Sequence, residues 1–164
     1  MSRVFNQPTR WIVRIGAIGP LGYLPASGTA TVALVGIPVF ALTRDCPVSV
    51  YLVGLAIFTA GSIWIHDVGD RILGEKDSRK LVWDELAGFF LAVLLVPFTW
   101  QLALLALLLE RTLDISKVPP ANWVENRVPG GWGVVGDDLI AGLYTCLLLH
   151  AACHYFPGVL GLTG

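Results

Sequence analysis

Residues 86–109, Leu-Ala-Gly-Phe-Phe-Leu-Ala-Val-Leu-Leu-Val-Pro-Phe-Thr-Trp-Gln-Leu-Ala-Leu-Leu-Ala-Leu-Leu-Leu, contain no charged side chain and carry Pro97, Thr99, Trp100 and Gln101 near their middle. The stretch is long enough for one membrane span, and the interruption decides the fold. One reading is a single kinked span. The other is a hairpin of two helices, residues 84–95 and 100–113, turning at 96–99. A single span puts Asp84 and Glu85 on the opposite side of the membrane from Asp114. A hairpin brings them together, and it is the preferred reading.

The rest of the chain has the same texture. Stretches 15–43, 46–66 and 139–164 also lack Asp, Glu, Lys and Arg, and 18 of the 23 charged side chains fall within 67–85 and 110–138. Hydrophobic residues make up 55 % of the chain and charged ones 14 %, with mean hydropathy +0.69. Soluble domains carry about 25 % charged residues, so lipid is the implied solvent. The 164 residues suit one domain. A net charge of −1 without any basic run excludes a nucleic-acid partner. Cys46, Cys146 and Cys153 are too few and too scattered for a disulfide framework, and Cys146 and Cys153 read as packing residues on an apolar helix.

Residues 10–18 predict a short amphipathic helix on the membrane surface, and 19–29, rich in glycine and proline, a structured loop. Two helices follow, 29–42 and 48–65, joined by a turn at 43–47. The first carries Gly36 and Pro38 and is kinked or stops short of a full span. The last helix runs from 138 to about 156, apolar on all sides. The apolar stretch after Arg14 is too broken for a signal peptide, so the N-terminus reads as retained. Arg3, Arg10 and Arg14 precede the first span, and only Arg44 lies in the turn facing away, which puts the N-terminus and both charged segments on the cytoplasmic side. The expected fold is therefore an all-α integral membrane helical bundle, one domain over 1–164, with interrupted or re-entrant helices and polar loops facing the cytoplasm.

Acidic groups recur at element junctions. Asp84-Glu85 opens a helix, Asp114 closes one, and Asp137-Asp138 opens the last helix after the turn 130–133. Each pair taken singly reads as a helix cap. Two such pairs plus Asp114, in a chain so poor in charge, point instead to a site, because carboxylates in a membrane are costly and mark function. Clustered oxygen donors suit a hard cation such as Mg²⁺. Arg111 shares a helix face with Asp114; it either forms a local ion pair or, with Lys117, neutralises phosphate oxygens. The glycine-rich turn 130–133 is either a plain connection or lays backbone N–H groups, those of Gly130 and Gly131 among them, against a phosphate ahead of a helix. His66 reads as a helix-end polar residue, and Asp67, Asp70 and Arg71 as a solvated face.

Four segments resemble the phosphatidylglycerophosphatase A family, in order along most of the chain. Residues 22–29, Gly-Tyr-Leu-Pro-Ala-Ser-Gly-Thr, resemble its N-terminal loop ending in Gly-Thr. Asp77 with 81–88, Leu-Val-Trp-Asp-Glu-Leu-Ala-Gly, resembles its Asp-Glu motif. Residues 111–117, Arg-Thr-Leu-Asp-Ile-Ser-Lys, resemble its Arg–Asp–Lys motif, and 130–142 its closing Gly-Gly…Asp-Asp…Ala-Gly signature. Thr112-Leu113 before Asp114, Val118-Pro119-Pro120 after Lys117, and Pro129 depart from the usual pattern. The resemblance implies a Mg²⁺-dependent phosphatase of the bacterial inner membrane, converting the phospholipid phosphatidylglycerophosphate to phosphatidylglycerol and phosphate. It implies Asp84, Glu85, Asp137 and Asp138 as metal ligands, and Arg111, Lys117, Thr29, Gly130 and Gly131 around the phosphate. Asp114 would be a ligand or general base, and the nucleophile water or a carboxylate. The competing reading is a non-enzymatic membrane protein, a transporter subunit or lipid-binding scaffold, whose acidic pairs are caps. A diverged, inactive paralogue is a third.

Overall fold

The computed structural model describes residues 10–162, and every regular element among them is helical. Arg3, part of the orientation argument, lies outside them. The helices are α1 Arg10–Gly16, α2 Ser27–Leu42, α3 Val48–Leu73, α4 Trp83–Ala92, α5 Trp100–Ser116, α6 Ala121–Arg127 and α7 Gly131–Tyr155. A 3-10 turn at Leu21–Tyr23 breaks the expected loop between α1 and α2. The interruption expected from Gly36 and Pro38 takes the form of a π-helical turn at Val32–Gly36 inside α2. Pro38 follows directly on that turn, so the N–H it lacks falls where the hydrogen-bond register shifts from π to α.

The 86–109 stretch folds as two helices. α4 ends at Ala92, the chain turns through Leu95 at φ +59, and Pro97 follows. Thr99 then starts α5, its Oγ1 accepting the N–H of Leu102 at 3.1 Å. The charged ends of α4 and α5 come to lie side by side. A side chain at Gly88 would press on Glu110 Oε1, and Glu85 and Arg111 line one cleft.

Two boundaries correct the sequence reading. α3 does not end at 65 but runs to Leu73, 26 residues and about 39 Å. Gly74, at φ +74, stops it, with its N–H on Asp70 O. Of the expected solvated face only Arg71 is exposed, while Asp67 and Asp70 are half-buried and engaged within the fold. Asp70 accepts the N–H groups of Asp77 and Ser78 at 3.0 and 3.1 Å, closing the following loop, and Asp67 holds the start of α7. The second correction is at α7, which begins at Gly131 rather than 138. Gly131 packs on the Ile63 carbonyl, where a Cβ has no room, so the glycines read as a turn are the helix's own first residues. Asp137 and Asp138 thus lie inside α7 and do not open it.

α7 is the central helix, packed against α3, α4, α5 and α6. Its Gly142 meets the backbone of Gly88 on α4, so the two helices cross at the distance of bare backbone. Below this crossing, Val32, Phe40, Leu86, Phe89, Leu102 and Leu149 form the apolar core. α3 and α7 are long and apolar enough to cross a membrane by length and composition. The molecule leaves large apolar residues exposed on its flanks: Val50, Val53 and Ile57 on α3, Leu104 and Leu108 on α5, Leu143 and Leu147 on α7.

Candidate active site

The acidic side chains meet where the charged ends of α3, α4 and α5 face the first turns of α7. Arg111 is the organising cation. Its Nε and Nη2 donate to the Glu110 carboxylate at 2.6 and 2.7 Å, Nη2 also reaches Asp138 Oδ1 at 3.3 Å, and Nη1 lies 3.4 Å from Asp114 Oδ2. Glu110 is 0 % exposed. Gly88 makes this possible, since a Cβ there would lie 2.9 Å from Glu110 Oε1 and 2.8 Å from the Asp138 carbonyl.

Lys117 caps α5 in the left-handed conformation, φ +47. That turn points its ammonium back at Asp137, which it contacts directly, with Glu125 at 3.4 Å and Asp114 at 3.8 Å. Burial works against the charge on Lys117, but the bond to Asp137 and the neighbouring Asp114 and Glu125 hold its pKa above the usual lysine value.

On the α3 side, His66 is fully buried, with Nε2 3.3 Å from Asp84 Oδ1 and Nδ1 3.6 Å from Asp70 Oδ2. The reading of His66 as a helix-end residue is corrected: it lies within α3, wedged between two acids. Neither ring nitrogen is aligned for a hydrogen bond. Asp84 Oδ1 and Glu85 Oε2 are likewise shut off from solvent without a hydrogen-bond donor.

This region carries more negative charge than its own cations answer. Asp84, Glu110, Asp137 and Asp138 are buried carboxylates, and the cations that touch the group are Arg111 and Lys117, with His66 when protonated. An uncompensated buried carboxylate is costly, so these groups either keep their protons or take up further positive charge. The donor chemistry fits a hard divalent cation: two orphaned carboxylate oxygens, on Asp84 and Glu85, with Asp138 close enough to act electrostatically on Glu85. Among the described residues no three His, Cys, Asp or Glu side chains form a ready-made metal cage. Asp137 is engaged by Lys117.

The cluster opens into a cleft of about 560 Å³, walled by the 22–29 loop, Arg79, Lys80, Glu85 and Arg111. The loop is pinned by Ser27 Oγ donating to the Arg79 carbonyl at 2.7 Å. Gly28 then lies against Glu85 Oε1, leaving no room for a side chain. Thr29 borders the cleft.

Asp84, Glu85, Arg111, Asp114, Lys117, Asp137 and Asp138 thus converge, while Gly130 and Gly131 do not join them. The Gly131 N–H donates to Asp67 Oδ1 at 2.6 Å, and Gly130 lines a separate cleft with His66, Asp67 and Asp70. The backbone cradle expected there is filled from within the protein. The capping reading also gives way. Asp84 and Glu85 stand in the first turn of α4 without capping it by hydrogen bond, and Asp137 and Asp138 lie beyond the first turn of α7. Sequence reasoning missed Glu110, Ser27 and the structural roles of Asp67 and Asp70. The signal for Glu110 was its cost, as an acid ending the long apolar run before Arg111.

Residues 14–153 match the family model described as phosphatidylglycerophosphatase A. A protein of that name from Escherichia coli is 27 % identical over 126 residues, 76 % of this chain and 73 % of its own length. The Haemophilus influenzae protein of the same name is 29 % identical over 128 residues, covering 76 % and 70 %. A Bacteroides thetaiotaomicron protein named "Putative phosphatidylinositol-3-phosphatase" is 34 % identical over 156 residues, covering 90 % and 96 %. No solved structure matches. The chain belongs to the phosphatidylglycerophosphatase A family.

Proposed function

We propose that this chain is a membrane-embedded phosphatase that hydrolyses the terminal phosphomonoester of phosphatidylglycerophosphate to phosphatidylglycerol and inorganic phosphate, with Mg²⁺ as cofactor. The observation that carries this reading is the convergence of buried carboxylates from α4, α5 and α7 at the edge of a cleft that Arg111 also lines. The names of the Escherichia coli and Haemophilus influenzae relatives supply the substrate.

Asp84, Glu85 and Asp138 would hold the metal, with Asp137 joining them if Lys117 releases it. When bound, Mg²⁺ would draw charge from the phosphoryl oxygens and acidify a water. Arg111, its guanidinium fixed by Glu110, binds the phosphoryl group and answers the negative charge that grows on it. Asp114, whose side chain is 18 % exposed, takes the proton of the attacking water. The water oxygen bonds to phosphorus, the bond from phosphorus to the glycerol oxygen breaks, and Asp114 passes the proton it took to that oxygen. Lys117 pairs with Asp114 and Asp137 beside this exchange.

The setting is the bacterial inner membrane, with the active site at its cytoplasmic face. The exposed leucines and valines of α3, α5 and α7 suit lipid. The charged ends of α4 and α5 lie side by side, with Glu85 and Arg111 lining one cleft, and the turn between the two helices lies beside the α2–α3 turn, which supports a pair α4–α5 whose two charged ends share one side. Arg14 at the site end of the chain agrees with the positive-inside rule.

The test is phosphate release by the purified protein from phosphatidylglycerophosphate in mixed micelles, with Mg²⁺ and with EDTA. Phosphatidylinositol 3-phosphate is run in parallel because of the Bacteroides relative's name. The expected result is Mg²⁺-dependent release, faster from phosphatidylglycerophosphate. Asp138→Asn should abolish release while leaving helicity and melting temperature near wild type; an active Asp138→Asn protein would refute the site assignment.

A further inference from the structure

Two cations on the wall of the cleft have no part in the hydrolysis just described. Along the 22–29 loop, Gly22 lies on the Lys80 carbonyl, Ser27 bonds the Arg79 carbonyl, and Gly28 lies on the Glu85 carboxylate. The loop therefore runs from the basic pair to the reacting end, and all of these residues line one continuous cleft. The two ends differ in chemistry. Glu85 has the acid cluster behind it. At the other end, Arg79 has no carboxylate within 4 Å among the described residues, and Lys80 is 3.7 Å from Glu75, half exposed itself. The rim carries exposed apolar side chains, Tyr23, Leu24 and Ile115. A cleft with an apolar lip, a basic end and a reacting end matches an amphiphile that carries two anionic groups.

We propose that Arg79 and Lys80 form a second anion subsite that takes the phosphodiester of the lipid while its phosphomonoester lies at Glu85 and Arg111. The inference rests on the phosphatase reading and narrows its substrate class to glycerophospholipids in which a diester precedes the monoester. A phosphatidate, whose only phosphate is the monoester, leaves the basic pair unused. Binding at this subsite pays for orientation by holding the head group in line with the cluster. The carbonyls of both residues are fixed by the loop, so their side chains start from a constrained backbone.

The experiment compares wild type with the double variant Arg79→Ala/Lys80→Ala in two arms. In the first, short-chain phosphatidylglycerol, which has the diester and no monoester, is titrated into detergent-solubilised protein by calorimetry, with short-chain diacylglycerol as control. The variant should bind phosphatidylglycerol at least about tenfold more weakly, the scale of a lost charge-assisted bond, and diacylglycerol unchanged. In the second, KM for phosphatidylglycerophosphate should rise about tenfold, with the smaller part of the loss in kcat. The preference of wild type for phosphatidylglycerophosphate over phosphatidate should shrink by a similar factor. Equal phosphatidylglycerol binding by both proteins, or equal losses on both substrates, would overturn the subsite. If wild type hydrolyses neither lipid, the phosphatase reading fails, and the phosphatidylglycerol arm still decides whether the subsite exists.

Discussion

Glu110 and Arg111 are adjacent in sequence, and consecutive helix residues ordinarily face different directions. Here the arginine doubles back so that two of its N–H groups fall on the neighbouring carboxylate, and this holds only because Gly88 leaves the space. Replacing Glu110 with Gln keeps the shape but turns an amide N–H₂ toward the guanidinium in place of an oxygen. Loss of a charge-assisted pair is worth about 1.5–3 kcal/mol, so kcat/KM should fall roughly 10- to 100-fold, and inhibition by inorganic phosphate should weaken in step. Steady-state kinetics with phosphate as inhibitor checks this; a Glu110→Gln enzyme with wild-type values in both would reduce Glu110 to packing. Lys117 gives a pH test. Its folded-state pKa is raised, so its contribution to stability is complete below the ordinary lysine value and is lost only as pH climbs through the higher folded value. The melting-temperature deficit of Lys117→Met should therefore be the same at about pH 7 and about pH 9, both below the ordinary value. A deficit that shrinks at the higher pH would mean the folded lysine is losing its proton there. At this scale the sequence was informative about which acids matter and silent about their partners. Asp84, Asp114, Asp137 and Asp138 stand out against an apolar background, whereas the link from His66 to Asp84, 18 residues later, needs the fold.

The helices were legible wherever apolar texture alone sets them, and their ends were misread wherever polar residues are consumed by tertiary contacts. α3 overran its expected end because Asp67 and Asp70 find N–H donors on α7 and in the next loop, so polarity did not signal solvent. α7 began early because its opening glycines serve close approach to Ile63 rather than a turn. The hairpin was read correctly in outline, since Pro97 and Thr99 act locally as stop and cap. Its turn lies beside the α2–α3 turn: Thr43, Arg44 and Cys46 line a cavity of about 290 Å³ together with Leu94, Leu95 and Pro97. The proposed membrane placement has a definite consequence. In a background with Cys46, Cys146 and Cys153 replaced by Ala, cysteines at Asp45 and Leu95 should react with a membrane-impermeant maleimide from the same side. A cysteine at Ser116 should react only from the other. Labelling of positions 95 and 116 from one side would refute the hairpin's placement. The crossing of α4 and α7 is equally exposed to test. Gly142→Ala has backbone, not a flexible side chain, in its way, so it should cost at least about 1–3 kcal/mol and lower the melting temperature by several degrees; a melting point equal to wild type would mean the helices can separate freely.

Across the described residues the buried acids gather in one interior cluster, where they outnumber the cations that touch them. On the proposed reading that imbalance disfavours the metal-free fold and would drive binding of a cation, and Glu85 isolates the two effects. Among the described residues its carboxylate has no cation within 4 Å, and its Oε2 has no donor. Glu85→Gln replaces a buried carboxyl group that no cation answers with a neutral amide of the same volume, so without divalent metal the variant should melt no lower than wild type. Adding Mg²⁺ should raise the melting temperature of wild type: saturation at 100 times Kd contributes about 2.7 kcal/mol, which is several degrees for a chain of this length. Glu85→Gln should lose most of that rise, and EDTA should reverse it in wild type. The pairing of the two outcomes is the point, because a residue needed only for packing would lower stability in both conditions. If Mg²⁺ shifts wild type and variant equally, the cation binds elsewhere. If Glu85→Gln is less stable without metal, its carboxylate is answered by a partner within the fold, and the excess charge that argues for a metal at this cluster is smaller than its buried acids imply.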